Sequence, residues 1–470
     1  MRKKVRVYLP ENLDIDELLK SHPSLELNRN NLIYVAGLVY GLPEINHHYL
    51  KANGFTKLNS DILKAKMRNY KRYLKYLIAT GVLKCDGEYG CGQSLGYGFT
   101  ESYHGIKACE IEIDVRGGTQ IRNTGTDTLT KKHYHLIRWL EDGGLQIDYD
   151  KAIQLLDRGR KTSEGALVNN LTGKDQYPSL MNYKPGYMRT YTTGLVATER
   201  IRGGDHRFTV DESGLRLHTL LTSLNRNLRN FLTYKGHKLV GLDVSNSQPY
   251  FSLCLFKESF YKKDAKSVEI ANSSIDPHRF NAYTIYNTAG VPNPLHSSLS
   301  MFMGQQVSNL IGNQDIRLYA ELASSGMFYE RLEAEFRFKN GLTFPNRGAL
   351  KQMVFIVLFS DNRYIGQNEE GAALKRLFRD LFPNVSKVFS ALKKNDSAML
   401  PRLLQAIESH IILRVVCKKL SEERPDVPLF TIHDNIATTE ENVEYVLDVM
   451  IKELEQHVGY FPTIKVEPWF

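Results

Sequence analysis

Apolar runs that end at a carboxylate occur twice in the second half of the chain. Residues 239–242 (LVGL) precede Asp243, and residues 429–432 (LFTI) precede Asp434. Short apolar runs bounded by polar turns are typical of strands buried inside a sheet. A polar turn and an apolar helix start follow Asp243, whereas apolar residues resume at Ile436. The first run therefore predicts a strand leading to a helix, and the second predicts a β-hairpin with its carboxylate at the tip.

The pattern alone leaves two interpretations of these carboxylates open. A single aspartate at a strand end usually caps a turn, and an Asp-Asn pair such as Asp434-Asn435 favours a turn. Two strands that each break at an aspartate can instead present paired carboxylates on one sheet. Hard divalent cations such as Mg²⁺ need that arrangement, because one or two carboxylates and substrate phosphates complete their coordination.

A third segment, residues 344–366, predicts a helix with an unusual stripe. Asn346 can cap it, and four residues then recur at every fourth position: Arg347, Lys351, Phe355 and Phe359. Each step of four drifts by only about 40° around a helix, so the four share one slowly turning face. An ordinary amphipathic helix explains the aromatic residues but not the cations on the same face. A nucleoside triphosphate would use all four, with phosphates on the cations and base and sugar on the rings.

The first 110 residues carry a different pattern. Residues 60–81 predict an amphipathic helix with a basic surface, and the glycine-broken alternation of residues 82–103 predicts a β-hairpin. A basic helix followed by a hairpin resembles a winged helix, in which the helix lies in a DNA groove and the hairpin is the wing. A solvated helix face beside an ordinary hairpin explains the pattern equally well.

The middle of the chain is less informative. Residues 131–144 and 148–161 look helical, whereas residues 179–194, rich in Tyr and basic side chains, look like a loop. Such a loop could touch a sugar-phosphate backbone or serve as a surface connector.

Composition narrows the class of protein. The chain has 470 residues, of which 42% are hydrophobic and 24% charged, so a disordered, collagenous or small disulfide-rich protein is excluded. Its 61 Lys and Arg against 52 Asp and Glu give a net charge of +9, which fits a nucleic-acid partner without proving one. The N-terminus lacks the apolar core of a signal peptide, and no run approaches the ~18 apolar residues of a membrane span. We therefore expect a cytoplasmic protein without a membrane partner.

Five scattered cysteines argue against a disulfide framework. Cys85, Cys91 and Cys109 lie near His104, but their spacing matches no common zinc pattern, so reduced thiols are the better interpretation.

The three segments, in this order, resemble motifs A, B and C of family A (polymerase I-like) DNA polymerases, to which the single-subunit phage and mitochondrial RNA polymerases are related. Motif A corresponds to residues 243–248 (DVSNSQ), motif B to Arg347, Lys351, Phe355, Phe359 and Ser360, and motif C to residues 433–435 (HDN). The four-residue register of motif B is the most specific match. The resemblance covers roughly residues 205–470.

The resemblance implies an α+β fold of the right-hand polymerase type, with an antiparallel palm sheet and helical fingers and thumb. Residues 205–470 would form palm and fingers, residues 111–204 a thumb-like helical connector, and residues 1–110 a winged-helix-like DNA-binding domain. We expect no 3′–5′ exonuclease in this sequence, because only about 200 residues precede the matched region and part of them would form the thumb.

The resemblance also assigns roles to individual residues. Asp243, Asp434 and the backbone carbonyl of Val244 would hold two Mg²⁺ ions, with Mn²⁺ as a substitute. Arg347 and Lys351 would bind the triphosphate, and Lys351 could protonate the departing pyrophosphate. The sugar and base pocket would be shaped by Phe355, Phe359 and Gln248. Primer and template would be bound by Arg216, Arg226, Gln405 and His433.

Four departures from the family pattern bear on sugar selection. Gln248 stands where the family has a Glu that blocks a ribose 2′-OH. Phe359 replaces a Tyr, Ser360 replaces the Gly after it, and Asn435 replaces a Glu. Gln248 remains bulky enough to act as a steric gate, but Phe359 lacks the hydroxyl that would pin it.

The resemblance predicts a DNA-dependent DNA polymerase that extends a primer 3′-OH, serving phage or mobile-element replication in a bacterial or phage-infected cytoplasm. Its partners would be a DNA primer-template, nucleoside triphosphates and other replication proteins. One alternative is a single-subunit RNA polymerase or primase, against which Phe359 argues because those enzymes use a Tyr hydroxyl there. Another is a replication initiator with a vestigial polymerase core, against which the intact Asp243 and Asp434 argue.

Overall fold

The computed structural model describes most of the chain and all of its C-terminal third. The described residues are 2–23, 27–45, 49, 51, 55–60, 63, 64, 67, 69–87, 94–103, 107–116, 132–158, 186–206, 208–262, 280–310 and 312–470.

Thirteen strands are seen in these residues, and every pairing between them is antiparallel. They are β1 (Arg2–Pro10), β2 (Thr56–Lys57), β3 (Leu83–Cys85), β4 (Gly96–Phe99), β5 (Ala108–Arg116), β6 (Leu145–Ile147), β7 (Phe208–Val210), β8 (Leu217–Thr219), β9 (Leu232–Tyr234), β10 (His237–Val244), β11 (Phe430–Ile432), β12 (Asn435–Thr439) and β13 (Ile464–Pro468).

The α-helices supply most of the remaining structure. They are α1 (Ile15–Ser21), α2 (Arg29–Ile45), α3 (Tyr70–Ala79), α4 (Tyr134–Glu141), α5 (Gly186–Arg202), α6 (Leu220–Ser223), α7 (Ser247–Ser252), α8 (Ala282–Ala289), α9 (Ser297–Ser308), α10 (Gln314–Ser324), α11 (Phe328–Asn340), α12 (Arg347–Phe359), α13 (Glu370–Leu381), α14 (Pro383–Leu392), α15 (Met399–Ser409), α16 (Cys417–Glu423) and α17 (Val443–Val458). A π-helical segment, His410–Val416, joins α15 to α16. The mixture of helices with antiparallel sheets agrees with the predicted α+β class.

The largest sheet has β10 near its centre. Its strand order is β11-β12-β10-β9-β6, and β13 pairs with β10 as well. The interior of β10 is apolar, since Leu239, Val240, Leu242 and Val244 are all at most 5% exposed. A strand buried on both faces explains the continuous apolar run in the sequence. The predicted strand and hairpin of this region are confirmed.

Buried apolar side chains form two separate groups. One lies between Val7 and Ile113 and also takes Val196 of α5. The other lies between Leu136 and Trp469 and includes Ala108. The predicted domain limits at residues 110 and 204 stay predictions.

The N-terminal region differs from its predicted helix. A single helix over residues 60–81 is wrong, because Met67 and Asn69 are not helical and α3 begins at Tyr70. On α3 the apolar face is buried as predicted, through Tyr70, Leu74 and Leu77. The predicted hairpin is present as β3 paired with β4, and β2 adds to the other edge of β4. A winged helix remains a prediction.

The predicted loop at residues 179–194 is wrong over its described part, because α5 begins at Gly186. Residues 179–185 lie outside the described residues. The two predicted helices of this region are present as α4 and a helical stretch over residues 149–158. None of the helices in the described part of the chain combines the length and apolar character that a membrane crossing requires.

Candidate active site

Two neighbouring strands place the two predicted aspartates at one edge of the large sheet. Asp243 lies one residue before the end of β10 and faces Asn435, the first residue of β12. Asp434 immediately precedes Asn435, in the two-residue turn that joins β11 to β12. The turn is tight enough that His433 adopts a left-handed backbone with φ of 58°. The hairpin therefore carries Asp434 to the end of β10, as the sequence predicts.

The close packing of this edge explains a glycine inside the central strand. A Cβ at Gly241 would lie 2.8 Å from the indole nitrogen of Trp469 and 2.9 Å from the side-chain amide of Asn435. The missing side chain leaves room for that amide, whose Nδ2 lies 3.5 Å from Oδ1 of Asp243. Asn435 thus contacts the carboxylate where the family pattern has a Glu.

The two aspartates influence each other electrostatically. Burial, with added repulsion from Asp434 and Glu467, raises the pKa of Asp243 to about 6. Burial also raises the pKa of Asp434, although a hydrogen bond from Ser247 and the charges of Arg216 and Lys351 act in the opposite direction. Two carboxylates that resist ionisation together favour a nearby cation.

A cleft of about 600 Å³ opens over this edge of the sheet. It brings together residues from motif A, motif B, motif C and strand β13. Its lining residues are Arg226, Asp243, Val244, Ser245, Asn246, Ser247, Gln248, Pro249, Gly326, Tyr329, Arg347, Lys351, Asp434, Lys465 and Glu467. Seven of the twelve predicted site residues lie in this cleft: Arg226, Asp243, Val244, Gln248, Arg347, Lys351 and Asp434.

The motif B cations reach the cleft from the first two turns of α12. Asn346 caps this helix by accepting a hydrogen bond from the Ala349 amide, as predicted. Arg347 is held by Glu330 at 2.7 Å and lies over the ring of Tyr329, 4.8 Å from its centroid. Lys351 is exposed and forms no ion pair with any described residue. The free ammonium of Lys351 and the tethered guanidinium can both meet an anionic ligand.

The two motif B aromatic residues are placed differently. Phe355 and Phe359 stack on each other with ring centroids 4.4 Å apart. Phe355 is 59% exposed. Neither ring is among the described residues that line the cleft.

The predicted primer and template residues have separate partners. Arg216 forms an ion pair with Glu408, and Arg226 pairs with Glu467 at 2.9 Å. Gln405 lies against Gly214, where a Cβ would come within 2.6 Å of its Oε1. Of these three residues, Arg226 lines the cleft, whereas Arg216 and Gln405 do not.

His433 is close to this group and electrostatically unusual. Its ring lies 5.9 Å from that of His218, which is bonded to Asp211 at 3.0 Å. Burial, helped by the positive charges of Arg216, His218 and Arg229, lowers the pKa of His433 to about 4. His433 is therefore neutral at physiological pH.

Three charged residues in or beside the cleft were not predicted from the sequence. Glu408 lies buried beside Gln248 and Arg216, while Lys465 and Glu467 enter the cleft on β13. Lys465 lies opposite Asp243 in the β10–β13 pairing. A carboxylate in the apolar run of α15 was a signal for Glu408, but the β13 residues alternate as in any strand.

The donor set suits a magnesium-type ion better than zinc. No cluster of three or more His, Cys, Asp or Glu side chains is found in the described ranges. Cys91 and His104, named for the zinc alternative, lie outside those ranges. Two carboxylates with one backbone carbonyl leave most coordination positions for water and substrate phosphate, which is the preference of Mg²⁺.

No family model matches the chain, and no curated protein matches it. Among solved structures, one similar chain is described as the POL domain of Pol1 from M. smegmatis in complex with DNA primer-template and dNTP. The identity is 12%, over 73% of this chain and 70% of that chain, and the TM-score is 0.31. A TM-score of this size establishes no shared fold.

Proposed function

We propose that this protein is a template-directed nucleotidyltransferase, in the first place a DNA-dependent DNA polymerase that extends a primer 3′-OH. The observation that carries the proposal is the composition of the cleft. Asp243 and Asp434 approach from two paired strands, and Lys351 approaches from the start of α12. Paired carboxylates opposite cations match a reaction that needs a metal-bound triphosphate.

Mg²⁺ would be held by Asp243 and Asp434, with the backbone carbonyl of Val244 as a further ligand. When bound, it would supply charge stabilisation for the attacking and leaving oxygens of phosphoryl transfer. The raised pKa of Asp243 supports a site that is incomplete without a cation.

The chain's own residues would bind and orient the nucleotide. Arg347, kept in place by Glu330 and Tyr329, would bind the triphosphate. Lys351 is exposed and forms no ion pair with a described residue, so its ammonium would hold the phosphates and donate a proton to pyrophosphate. Gln248 lies on the same wall and would meet the sugar.

Nucleic acid would be held through phosphates and shape, because base pairing supplies the sequence information. Arg216, Arg226, Gln405 and His433 would contact primer and template near the cleft. The winged-helix-like region would bind duplex through α3, whose Lys71, Arg72 and Lys75 are exposed opposite its buried face.

Primer extension on DNA and RNA templates, with dNTPs or rNTPs, tests the proposal. The unmodified protein should extend a DNA primer with Mg²⁺ or Mn²⁺. Asp243→Asn and Asp434→Asn should each lower synthesis by at least about a thousandfold, since a lost metal ligand removes several kcal/mol of transition-state stabilisation. Both variants should bind primer-template nearly as well as the unmodified protein.

The outcomes separate the candidate functions. Near-normal turnover by either variant would rule out this cleft as the polymerase site. Preference for rNTPs would replace the DNA polymerase with the RNA polymerase or primase alternative. Duplex binding without any synthesis would leave the replication-initiator alternative.

The role of the N-terminal region is tested in the full chain. The triple variant Lys71→Glu, Arg72→Glu and Lys75→Glu should bind duplex DNA more weakly and with a shallower salt dependence, because fewer counterions are released. Unchanged affinity at low salt would place duplex binding elsewhere.

A further inference from the structure

A buried carboxylate lies beside the cleft in a helix whose other buried residues are mostly apolar. Glu408 of α15 is 1% exposed, and its neighbours Leu404, Ile407 and Ile411 are fully buried. A carboxylate out of water is strongly unfavourable unless specific partners compensate for the lost hydration. The partners of Glu408 therefore indicate why it is there.

Both oxygens of this carboxylate are engaged by residues of the cleft region. The guanidinium of Arg216 contacts Oε1 through Nε at 2.9 Å and through a terminal nitrogen at 2.7 Å. The amide of Gln248 donates from Nε2 to Oε2 at 2.5 Å. One buried group thus links the β7–β8 region, the first turn of α7 and α15.

The contact fixes which way the Gln248 amide faces. The Arg216 guanidinium lies on Oε1 of Glu408, and Gln248 turns its amide nitrogen, which can only donate, toward Oε2. The Oε1 of Gln248 has no hydrogen-bond partner in the part of the chain that the structure describes. The bond to Glu408 is thus the one hydrogen bond that restrains this side chain there.

The restraint compensates for a missing group. Gln248 stands at the motif A position whose bulk would crowd a ribose 2′-OH, and Phe359 has no hydroxyl with which to hold it. Phe359 instead stacks on Phe355. The hydrogen bond from Gln248 is instead accepted by the carboxylate of Glu408, which lies on a different helix.

We infer that Glu408 is a positioning residue for sugar discrimination, acting through its hydrogen bond to Gln248. The inference rests on the proposed nucleotidyltransferase function and deepens it. A long amide side chain that rotates freely can swing away from a 2′-OH, whereas one bonded at its tip keeps its volume in place. Glu408 itself does not line the cleft.

The test measures the ratio of kcat/KM for a dNTP to that for the matching rNTP, using the full-length protein on one primer-template. Glu408→Ala and Gln248→Ala should each lower this ratio about tenfold or more. The double variant should lower it no further than Gln248→Ala alone, because the two residues act as one unit.

Two further variants test two questions. One asks whether the hydrogen bond of Gln248 matters or only its bulk, and the other asks whether Glu408→Ala acts only by disturbing the fold. Gln248→Leu keeps most of the volume but cannot bond Glu408, so its ratio should also fall. Glu408→Gln can still form an amide–amide bond to Gln248 and should keep the ratio within about threefold. Arg402→Ala, also on α15 but paired with Asp396, is the matched control and should leave the ratio unchanged.

A ratio unchanged in both Glu408→Ala and Gln248→Leu, with a loss in Gln248→Ala, would overturn the inference and leave the polymerase proposal standing. If Glu408→Ala does not fold, Gln248→Leu decides alone. No extension by the unmodified protein with either class of nucleotide would reject the proposed function and this inference together.

Discussion

Positively charged side chains lie at both ends of α12, but they are exposed at one end and buried at the other. At the first end, Arg347 and Lys351 are exposed to the cleft. At the far end, Lys375 and Lys393 from neighbouring helices are 7% and 3% exposed. Lys393 donates to the carbonyls of Val357 and Ser360, and Lys375 donates to Ser360 and Asp361.

The far end has a structural explanation. The last carbonyls of a helix lack partners within the helix, and positive charge is favourable at that end of the helix dipole. The benefit is large enough to keep two lysines close together out of water. Burial, with repulsion from Lys375, lowers the pKa of Lys393 to about 7.

The cleft end has no such explanation. Positive charge near a helix N-terminus is unfavourable, because unpaired amides already make that end positive. Glu330 offsets the charge of Arg347, whereas Lys351 forms no ion pair among the described residues and only its longer-range charge acts on Asp434. The difference teaches that the lysines at the far end serve the fold, whereas no structural contact accounts for Lys351 at the cleft end, which agrees with the proposed nucleotide-binding role.

Lys351→Ala gives the largest expected effect and tests the cleft end. We expect kcat/KM for the nucleotide to fall about 10²–10³-fold, since the ammonium meets charge that grows in the transition state. The melting temperature should stay close to that of the unmodified protein. Lys339→Ala, an exposed lysine at the end of α11, is the control and should change neither quantity. An unchanged kcat/KM would make Lys351 an ordinary solvated residue.

Lys393→Met tests the far end with a side chain of similar length. We expect the free energy of unfolding to fall by about 1–3 kcal/mol, because two carbonyls lose a buried donor. Release of a poorly hydrated charge offsets part of that loss. Chemical denaturation measures the change, and the adjacent exposed Lys394→Met is the matched control. If Lys393→Met kept its stability but lost catalysis, Lys393 would serve the reaction and not the fold.

The elements that carry the cleft could be predicted because their signals are local. The apolar runs before Asp243 and Asp434, and the Asn346 cap with its four-residue register, each lie within a few turns of chain. Strand, hairpin and helix at these places are confirmed. Their approach to one cleft followed from the resemblance rather than from any local pattern.

The unpredicted part depends on contacts between distant residues. Glu408 meets Arg216 across 192 positions of sequence, and Lys393 meets Val357 across 36. In each case the only sequence signal is a charge beside apolar residues. The wrong loop at 179–194 has a similar cause. Its many Tyr and basic residues suggested a loop, but α5 begins at Gly186 and buries residues such as Tyr191 in the core.

His433→Asn extends the comparison to a buried basic side chain that, unlike Lys393, lacks hydrogen-bond acceptors among the described residues. Its Nδ1 has no hydrogen-bond partner there. The unfolded histidine takes up a proton near pH 6.5, whereas burial lowers the folded pKa to about 4. Folding stability is therefore fully present above pH about 6.5 and is lost progressively as the pH falls to about 4.

Replacing His433 by Asn removes the group whose protonation lowers folding stability at acid pH. Near pH 4 we expect His433→Asn to be more stable than the unmodified protein by roughly 1–2 kcal/mol, and near pH 7 the two should differ little. Asn is chosen because it tolerates the left-handed backbone at this position. Melting temperatures across pH 4 to 8 check this, with the exposed His22→Asn as control. Parallel pH curves for the two proteins would show that His433 is not held neutral.

Asn346→Ala gives the smallest expected effect and asks what stabilises the cleft end of α12. If the cations there contribute nothing to the fold, the cap must hold the first turn. Asn346 has an extended backbone, and its Oδ1 accepts the Ala349 amide at 3.1 Å. Loss of such a cap costs about 1 kcal/mol.

We therefore expect Asn346→Ala to lower the free energy of unfolding by about 1 kcal/mol, and Asn346→Ser to restore most of it, because a serine hydroxyl caps the same amide. The nucleotide KM should rise only a few-fold, since Arg347 keeps its contacts with Glu330 and Tyr329 while the first turn frays. Lys351→Ala should show the opposite balance, with a large catalytic loss and little change in stability. If Asn346→Ala cost no stability while Lys351→Ala did, the cations would stabilise this end of the helix, and the contrast between the two ends of α12 would not hold.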